Sequence, residues 1–369
     1  MKKGLLLGFL VLPLLVSANE ISAPESPTQI VHSQKNNQYT EISSEILSNY
    51  QNHYLSLDTY SQGHFSLRLY RQTLDPIYKN GIAVDLYRIA NKLNYFANDI
   101  NTPEKIFLYS QKHLANYKQK QSIRSHIRYE TTKNRPEYFY LGLNLISAMA
   151  RANEYGLKSA QDSKLRAILD SYDFSKYVTD KKMIRAWAAQ LANQVYWLKQ
   201  LNQADYIKEF TNAFKAAYPD RDDKNLNRQQ YENKLYGLTH IILADSMYYQ
   251  TLVSERKHQW IYTYFRNNIN TILLRAKPDI LAEVGVCFML ANKPNDPVVA
   301  QLKQALVKKY DSNAKMIPSV NGSNDLENGE HRNTLAIMFL NWQGPHMAPT
   351  ADKQSDMVDS LPYGLIAKN

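Results

Sequence analysis

Apolar side chains recur at three- and four-residue spacing in nearly every segment from about Glu41 to Trp342, and this helical period limits what the chain can fold into. Capping residues precede proline at Thr102-Pro103 and Asp296-Pro297, as is typical of a first helical turn. Only 12 of the 369 residues are glycine and alternating apolar runs are scarce, which argues against a β-sandwich and a Gly-rich nucleotide fold. The sequence therefore predicts an all-α protein.

Strongly apolar helices alternate with more polar ones along this region. The predicted apolar helices are six, at 82–98, 137–154, 183–200, 231–251, 278–292 and 331–342. The predicted polar helices lie between them, at 103–121, 160–170, 204–217, 255–273 and 297–310. Such alternation is typical of stacked helical hairpins, in which the apolar member is buried and the polar member faces solvent. It predicts an α/α toroid-like ring of about six hairpins or, equally, an open superhelix.

Polar residues interrupt the apolar helices at a regular interval. Those residues, separated by 43 to 49 positions, are Asn144, Asn193, His240, Glu283 and His331. Since two helices and two turns occupy about that length, the five side chains are predicted to lie at comparable levels of successive inner helices.

The two ends of the chain differ from its helical body. Lys2 and Lys3 precede a short apolar run that ends in small residues, which predicts a cleavable signal peptide over 1–18 and a periplasmic or secreted protein. Residues 19–38 lack a period and are interpreted as a flexible linker, 39–342 as the helical domain and 343–369 as an irregular C-terminal tail. No later stretch reaches transmembrane length.

The formal net charge of +10 comes from lysines and arginines that are scattered rather than grouped. Nucleic-acid binding normally needs a basic stripe or tail, so a nucleic-acid partner is not predicted. A solvated basic surface and affinity for an acidic polysaccharide or a membrane surface both remain open. The oligomeric state is not predicted.

Three ionisable residues in apolar helices, His240, Glu283 and His331, are the first site candidates, because an isolated buried charge is too costly to leave unpaired. They could form a buried polar network that fixes helix register. They could equally form an acid/base pair in which the carboxylate orients an imidazole. A third alternative is a zinc site that also uses Cys287, four residues after Glu283; without a His-Glu-x-x-His or Cys-x-x-Cys motif its signal is weak.

The segments around these residues carry a resemblance to known proteins. The motifs are Leu-Tyr-Gly-Leu-Thr-His at 235–240, Ala-Glu-Val-Gly-Val-Cys at 282–287 and Gly-Glu-His-Arg-Asn-Thr-Leu-Ala at 329–336. With them the chain resembles bacterial α/α-toroid proteins, and most closely a secreted bacterial family known only as a domain of unknown function. Toroid enzymes include zinc cyclases with Cys and His ligands, and lyases of acidic polysaccharides that use Tyr, His, Asn and Arg. The resemblance thus draws attention to Tyr236, Arg332 and Asn333 beside His331.

Together these observations predict an exported helical protein that is a hydrolase or lyase acting on an extracytoplasmic glycan or peptide in a central cavity. His331 or Tyr236 is expected to act as general acid or base, with Glu283 orienting or sharing a proton with a histidine such as His240. The predicted substrate-binding side chains are Arg332, Asn333 and Asn193. The alternative is a non-catalytic helical-repeat protein that binds a partner in the cell envelope.

Overall fold

The computed structural model describes residues 27–120, 122–350 and 360–368. The chain divides into two units, Met1–Gln38 and Tyr39–Asn369. In the first unit the described residues form the N-terminal part of the first helix. The second unit holds all the remaining elements and the site discussed below.

Seventeen α-helices and one pair of three-residue strands make up the regular structure of the described residues, so the all-α prediction is confirmed. The first nine helices are α1 Pro27–Asn52, α2 Thr59–Thr73, α3 Lys79–Asn98, α4 Pro103–Gln119, α5 Ile123–Thr132, α6 Pro136–Tyr140, α7 Ser147–Glu154, α8 Asp162–Asp170 and α9 Ser175–Val178. The other eight are α10 Lys181–Gln200, α11 Ile207–Ala217, α12 Arg228–Asp245, α13 Gln259–Asn267, α14 Ile269–Arg275, α15 Pro278–Leu290, α16 Pro297–Val307 and α17 Leu326–Leu340. The strands, β1 Leu157–Ser159 and β2 Leu365–Ala367, pair antiparallel.

Capping side chains start the helices where the sequence indicates. Thr102 accepts a hydrogen bond from the backbone of Lys105 at the start of α4, and Asp296 caps α16. Asn227 forms a reciprocal capping box with Gln230 ahead of α12. These local bonds satisfy backbone donors that a helix cannot pair internally, so helix starts are encoded within a few residues.

The apolar helices pack against one another in chain order. Among the described residues, these contacts join α2 to α3, α3 to α7, α7 to α10, α10 to α12, α12 to α15, α15 to α17, and α17 to α2. Amphipathic helices pack against this series; α11 contacts α10 and buries Phe210 and Phe214, while α16 contacts α15 and buries Leu302. This pairing agrees with the predicted alternation, whereas the toroid arrangement stays a prediction.

Helix α2 joins this series although it is not among the six predicted apolar helices. Its buried residues include His64, Arg68 and Arg71, which lower the apparent hydrophobicity of the segment. Burial of such side chains requires partners from other helices, and a single helix sequence does not display those partners. The structure thus adds one inner helix to the predicted set.

The termini differ from the predicted irregular segments. The predicted signal peptide and the first part of the predicted linker lie outside the described residues. From Pro27 on, the segment predicted as linker forms the first part of α1. Extending an existing helix is much easier than nucleating one, and proline is favoured in a first helical turn. In the tail, residues 343–350 are irregular, but Leu365–Ala367 pairs with β1.

Within the described residues, no helix combines the length and the apolar character that crossing a membrane requires.

Candidate active site

One face of several inner helices borders a cavity of about 300 Å³. Its side chains lie three or four residues apart on each helix, the spacing that keeps them on one face. From α2 come Tyr60, His64 and Arg68; from α3 come Asp85, Arg88 and Lys92; and from α10 come Asn193 and Trp197. The polar and aromatic lining also includes Ser147 and Arg151 of α7, Gln190 of α10, His240 of α12, His331 of α17 and Tyr248.

The three first candidates meet at one side of this cavity. Glu283 is fully buried behind the lining, and its Oε1 lies 3.4 Å from His331 Nε2 and 3.6 Å from His240 Nε2. These are ion-pair distances rather than hydrogen bonds, and Oε1 has no hydrogen-bond partner. Its other oxygen accepts a hydrogen bond of 2.6 Å from Thr239 Oγ1. The carboxylate is therefore held on one side and turned toward two imidazoles on the other.

His331 also contacts a second histidine. Its Nδ1 lies 3.2 Å from His64 Nε2, and His64 Nδ1 lies 2.7 Å from Glu330 Oε1. Thr334 Oγ1 donates a hydrogen bond to the same Glu330 oxygen. A neutral His64 that donates a hydrogen bond from Nδ1 to Glu330 leaves Nε2 free to accept a hydrogen bond from His331. This orientation lets a protonated His331 donate to His64 and face Glu283 at once.

His240 connects the Glu283 carboxylate with Asn193. The distance from His240 Nδ1 to Asn193 Oδ1 is 2.9 Å, and the hydroxyl of Tyr248 lies 3.5 Å from the same nitrogen. Both ring nitrogens of His240 therefore face oxygen atoms. Asn193, His240, Glu283 and His331, which the 43–49-residue interval predicted at comparable levels, are joined in chain order.

Burial and charge divide the two contacting histidines by protonation state. Burial, reinforced by the charge of Arg68, lowers the pKa of His64 to about 3, so this imidazole is neutral near pH 7. Burial also opposes protonation of His331, but the Glu283 carboxylate more than offsets it, and the pKa of His331 is raised. Although burial alone would raise the pKa of Glu283, the two histidines lower it. The His331 side chain is nevertheless 42% exposed, because it faces the cavity.

A second part of the cavity lining, the cationic side, is rich in positive charge. Arg68, Arg88, Lys92 and Arg151 border it, and Asp85 is the one carboxylate in the described lining. Arg88 and Arg151 approach Asp85 at 3.6 and 3.7 Å. Asp85 also accepts a hydrogen bond of 2.7 Å from the Tyr155 hydroxyl. Arg151 also pairs with Glu154, whose Oε2 lies 3.2 Å from Arg151 Nε, so the positive groups of this side share two carboxylates.

A π-helical turn, Leu141–Ile146, connects α6 to α7 beside these cations. Asn144, the fifth regularly spaced polar residue, lies in it and accepts a hydrogen bond of 3.2 Å from Lys92 Nζ. Such turns insert an extra residue into a helix and are frequent at functional sites. Asn144 therefore contacts the cationic side rather than the histidines.

Three predicted site residues lie away from the cavity lining. The hydroxyl of Tyr236 donates a hydrogen bond to Asp279. Arg332 Nε donates to the Ile317 carbonyl at 2.8 Å, and the buried Asn333 accepts from the Ile317 amide at 2.7 Å and donates to its carbonyl. Arg332 and Asn333 thus fasten the segment before α17, and the cations that do line the cavity come from other helices. This placement corrects the expected substrate contacts, since adjacent helical residues point in different directions.

Cys287 is fully buried, and its thiol points to the backbone carbonyl of Thr239 at 3.9 Å. Burial raises the pKa of this thiol well above its ordinary value, which disfavours the thiolate that binds metals. In the part of the chain that the structure describes, no group of three or more His, Cys, Asp or Glu side chains is arranged to hold a metal ion. The zinc hypothesis, with His240, Glu283, Cys287 and His331 as candidates, gains no geometric support.

Sequence reasoning missed His64 and Glu330 at the histidine side, and Arg68, Arg88, Lys92 and Arg151 at the cationic side. A weak signal existed, because Tyr60, His64 and Arg68 repeat at four-residue intervals, as do Arg88 and Lys92. Charges at that spacing are ordinarily solvent-exposed, however. Only the packing of α2, α3 and α7 shows that this face is internal.

Comparison with known proteins gives one match. The model of a family described as a domain of unknown function (DUF3541) matches residues 39–368. No curated protein and no solved structure matches the chain.

Proposed function

Since the chain belongs to the domain-of-unknown-function family DUF3541, whose description names no reaction, we propose a function from the cavity: an exported hydrolase or lyase that cleaves an extracytoplasmic glycan or peptide. The observation that carries the proposal is the position of His331, which is open to the cavity and has a buried carboxylate behind it. A buried network that served only to fix helix register would not need a cavity-facing imidazole. A ring of helical hairpins is part of the proposal, and contacts from α2 around to α17 and back support it, with α2 as an inner helix beyond the six predicted.

The proposed chemistry is proton transfer by His331. Hydrolysis and elimination both need a proton on the leaving oxygen or nitrogen. The raised pKa of His331 favours the imidazolium form that carries this proton, and the proton passes from the imidazole to the leaving atom. The neutral imidazole then regains a proton from the attacking water in hydrolysis or from a substrate carbon in elimination. Glu283 acts as a positioning residue that stabilises the imidazolium, with His240 on its other side.

The deciding experiment compares His331→Gln with His126→Gln, a matched change at an exposed histidine of α5. Turnover of acidic glycans, neutral glycans and peptides is measured for both variants and the parent, together with metal content and melting temperature. We expect His331→Gln to lose about 100-fold or more in turnover with little loss of stability, and His126→Gln to behave as the parent. No turnover by the parent, with retention of an envelope ligand, would instead support the helical-repeat scaffold alternative.

Export rests on the predicted signal peptide at 1–18 and is tested separately. The expected N-terminus of the extracytoplasmic protein is Asn19. A membrane-bound product that retains Met1 would contradict this part of the proposal.

A further inference from the structure

Four positive side chains, Arg68, Arg88, Lys92 and Arg151, border the cavity, and the two carboxylates that pair with members of this group, Asp85 and Glu154, do not balance all four charges. Arg88 and Arg151 share Asp85, while Lys92 has only the neutral Asn144 as its hydrogen-bond acceptor among the described residues. Desolvation, followed by repulsion from Arg88, lowers the pKa of Lys92 to about 8. Crowded, partly desolvated cations are stabilised by an anion placed among them.

Arg68 provides a second, independent observation, because one of its hydrogen-bond donors is unpaired among the described residues. It is only 7% exposed, yet its Nε has no hydrogen-bond partner among the described residues. Its guanidinium lies 6.0 Å from the ring centre of Tyr248 and 5.6 Å from that of Tyr249. A buried guanidinium with an unpaired donor beside a cavity is costly unless a ligand or water completes it.

Aromatic rings also border the cavity. Trp197 and Tyr248 lie nearly parallel, with ring centres 6.2 Å apart, and both belong to the lining. Tyr60, another lining residue, has the Arg88 guanidinium 5.0 Å from its ring centre. Amphipathic rings of this kind pack against ligand faces that are apolar while their edges accept polar contacts. A pyranose ring has such faces, and an extended acidic peptide lacks them.

We propose that the cavity binds an acidic saccharide, with its carboxylate among Arg88, Lys92 and Arg151, its ring against Trp197, and its scissile bond toward His331. This inference rests on the proposed function and names its substrate class. Arginine suits the planar carboxylate because its donors form a fixed fork, and lysine adds a point charge. The cavity of about 300 Å³ accommodates one monosaccharide unit, so the cations bind one acidic sugar of a longer glycan.

The test measures binding by titration calorimetry with a matched pair of ligands, trigalacturonate and the same trisaccharide with its carboxylates reduced to alcohols. The full chain carries the His331→Gln substitution, so that any turnover does not consume the ligand. We expect trigalacturonate to bind at least tenfold more tightly than the reduced trisaccharide, with affinity that falls as salt is added. At pH 8 binding should also take up protons, because a bound carboxylate raises the pKa of Lys92.

Variants locate the site. Lys92→Met and Arg88→Gln should each weaken trigalacturonate binding about tenfold, whereas Lys308→Met, which removes the same charge at an exposed position just after α16, should not. The two cavity variants protect the result against one of them failing to fold. Equal binding of both trisaccharides, or equal loss in the Lys308 control, overturns the proposal.

Two further outcomes separate this inference from the proposed function. Equally tight binding of triglutamate would overturn the saccharide assignment and favour an acidic peptide. Selective binding of trigalacturonate without turnover by the parent would support the ligand class while contradicting the enzyme.

Discussion

The two sides of the cavity differ in how far their charged groups are paired within the protein. On the histidine side, Glu283 and Glu330 each face imidazoles, so the ionisable groups find partners within the protein. On the cationic side, Arg88 and Arg151 share Asp85, Arg151 also pairs with Glu154, and Lys92 has only the neutral Asn144 as a hydrogen-bond acceptor among the described residues. The first side pairs its ionisable groups within the protein, and the second keeps positive charge that solvent or a ligand must balance. The difference indicates which side performs proton transfer and which side selects the ligand.

Removing the buried carboxylate should have the largest effect. We expect Glu283→Gln to lower the free energy of unfolding by about 3 kcal/mol, because it removes the common partner of two histidines in a buried site. Chemical denaturation measures this loss. Glu41→Gln, at an exposed position of α1, should change stability by less than about 0.5 kcal/mol. Equal stability of the two variants would mean that the histidine side is not internally compensated.

Removing the shared carboxylate of the cationic side should have a smaller effect. Asp85→Asn keeps an acceptor for Tyr155 but leaves Arg88 and Arg151 without it as a counter-charge, and we expect a loss of about 1 to 2 kcal/mol. Because Asp85 helps to keep Lys92 charged, the pKa of Lys92 should also fall below about 8. Denaturation and NMR titration of the lysine side chains would follow both changes. An unchanged Lys92 pKa would contradict an electrostatic interaction between Asp85 and Lys92.

The two sides should also respond oppositely to rising pH. The pKa of His331 is raised in the folded state, so protonated His331 stabilises the fold. This stabilisation is complete below the unfolded-state pKa of about 6.5 and is lost as pH rises through the folded-state pKa. The pKa of Lys92 is lowered to about 8, so stability recovers above that pH, as the folded protein releases the lysine proton first.

Unfolding curves from pH 5 to 10 measure this dependence. The free energy of unfolding of His331→Gln should not show the decline as pH rises, and that of Lys92→Met should not show the recovery above about pH 8. The His331 contribution will be moderated by its exposure to the cavity. A decline that persists in His331→Gln would assign it to another group.

The smallest effect is expected from Lys92→Met at pH 7. It removes the cost of desolvating the charged amine and the repulsion with Arg88, and gives up one hydrogen bond to Asn144, so stability should not fall by more than about 0.5 kcal/mol below the parent. Thermal denaturation provides the comparison with Lys308→Met. A large destabilisation would show that Lys92 holds the fold together and would weaken its assignment to ligand binding.

The histidine side was accessible to sequence reasoning because its residues stand out locally. His240, Glu283 and His331 each interrupt an apolar helix, and their regular interval predicted that they would be neighbours. The cationic side lacked this contrast, since Arg88 and Lys92 occur in an ordinary amphipathic pattern. Arg332 and Asn333 illustrate the converse error, because proximity to His331 in sequence suggested a shared role, whereas their contacts are with Ile317.

By itself the sequence determined the helical class, several helix starts and the alternation of buried and covering helices, because period, capping and proline placement act over a few residues. Tertiary structure alone decided that α2 is an inner helix, that His64 and Glu330 continue the histidine contacts, and that the cations of α2, α3 and α7 face one cavity. Those facts depend on how helices distant in sequence rotate and pack against each other. No local pattern records that choice, because a charged helix face is compatible with bulk solvent and with an internal cavity alike.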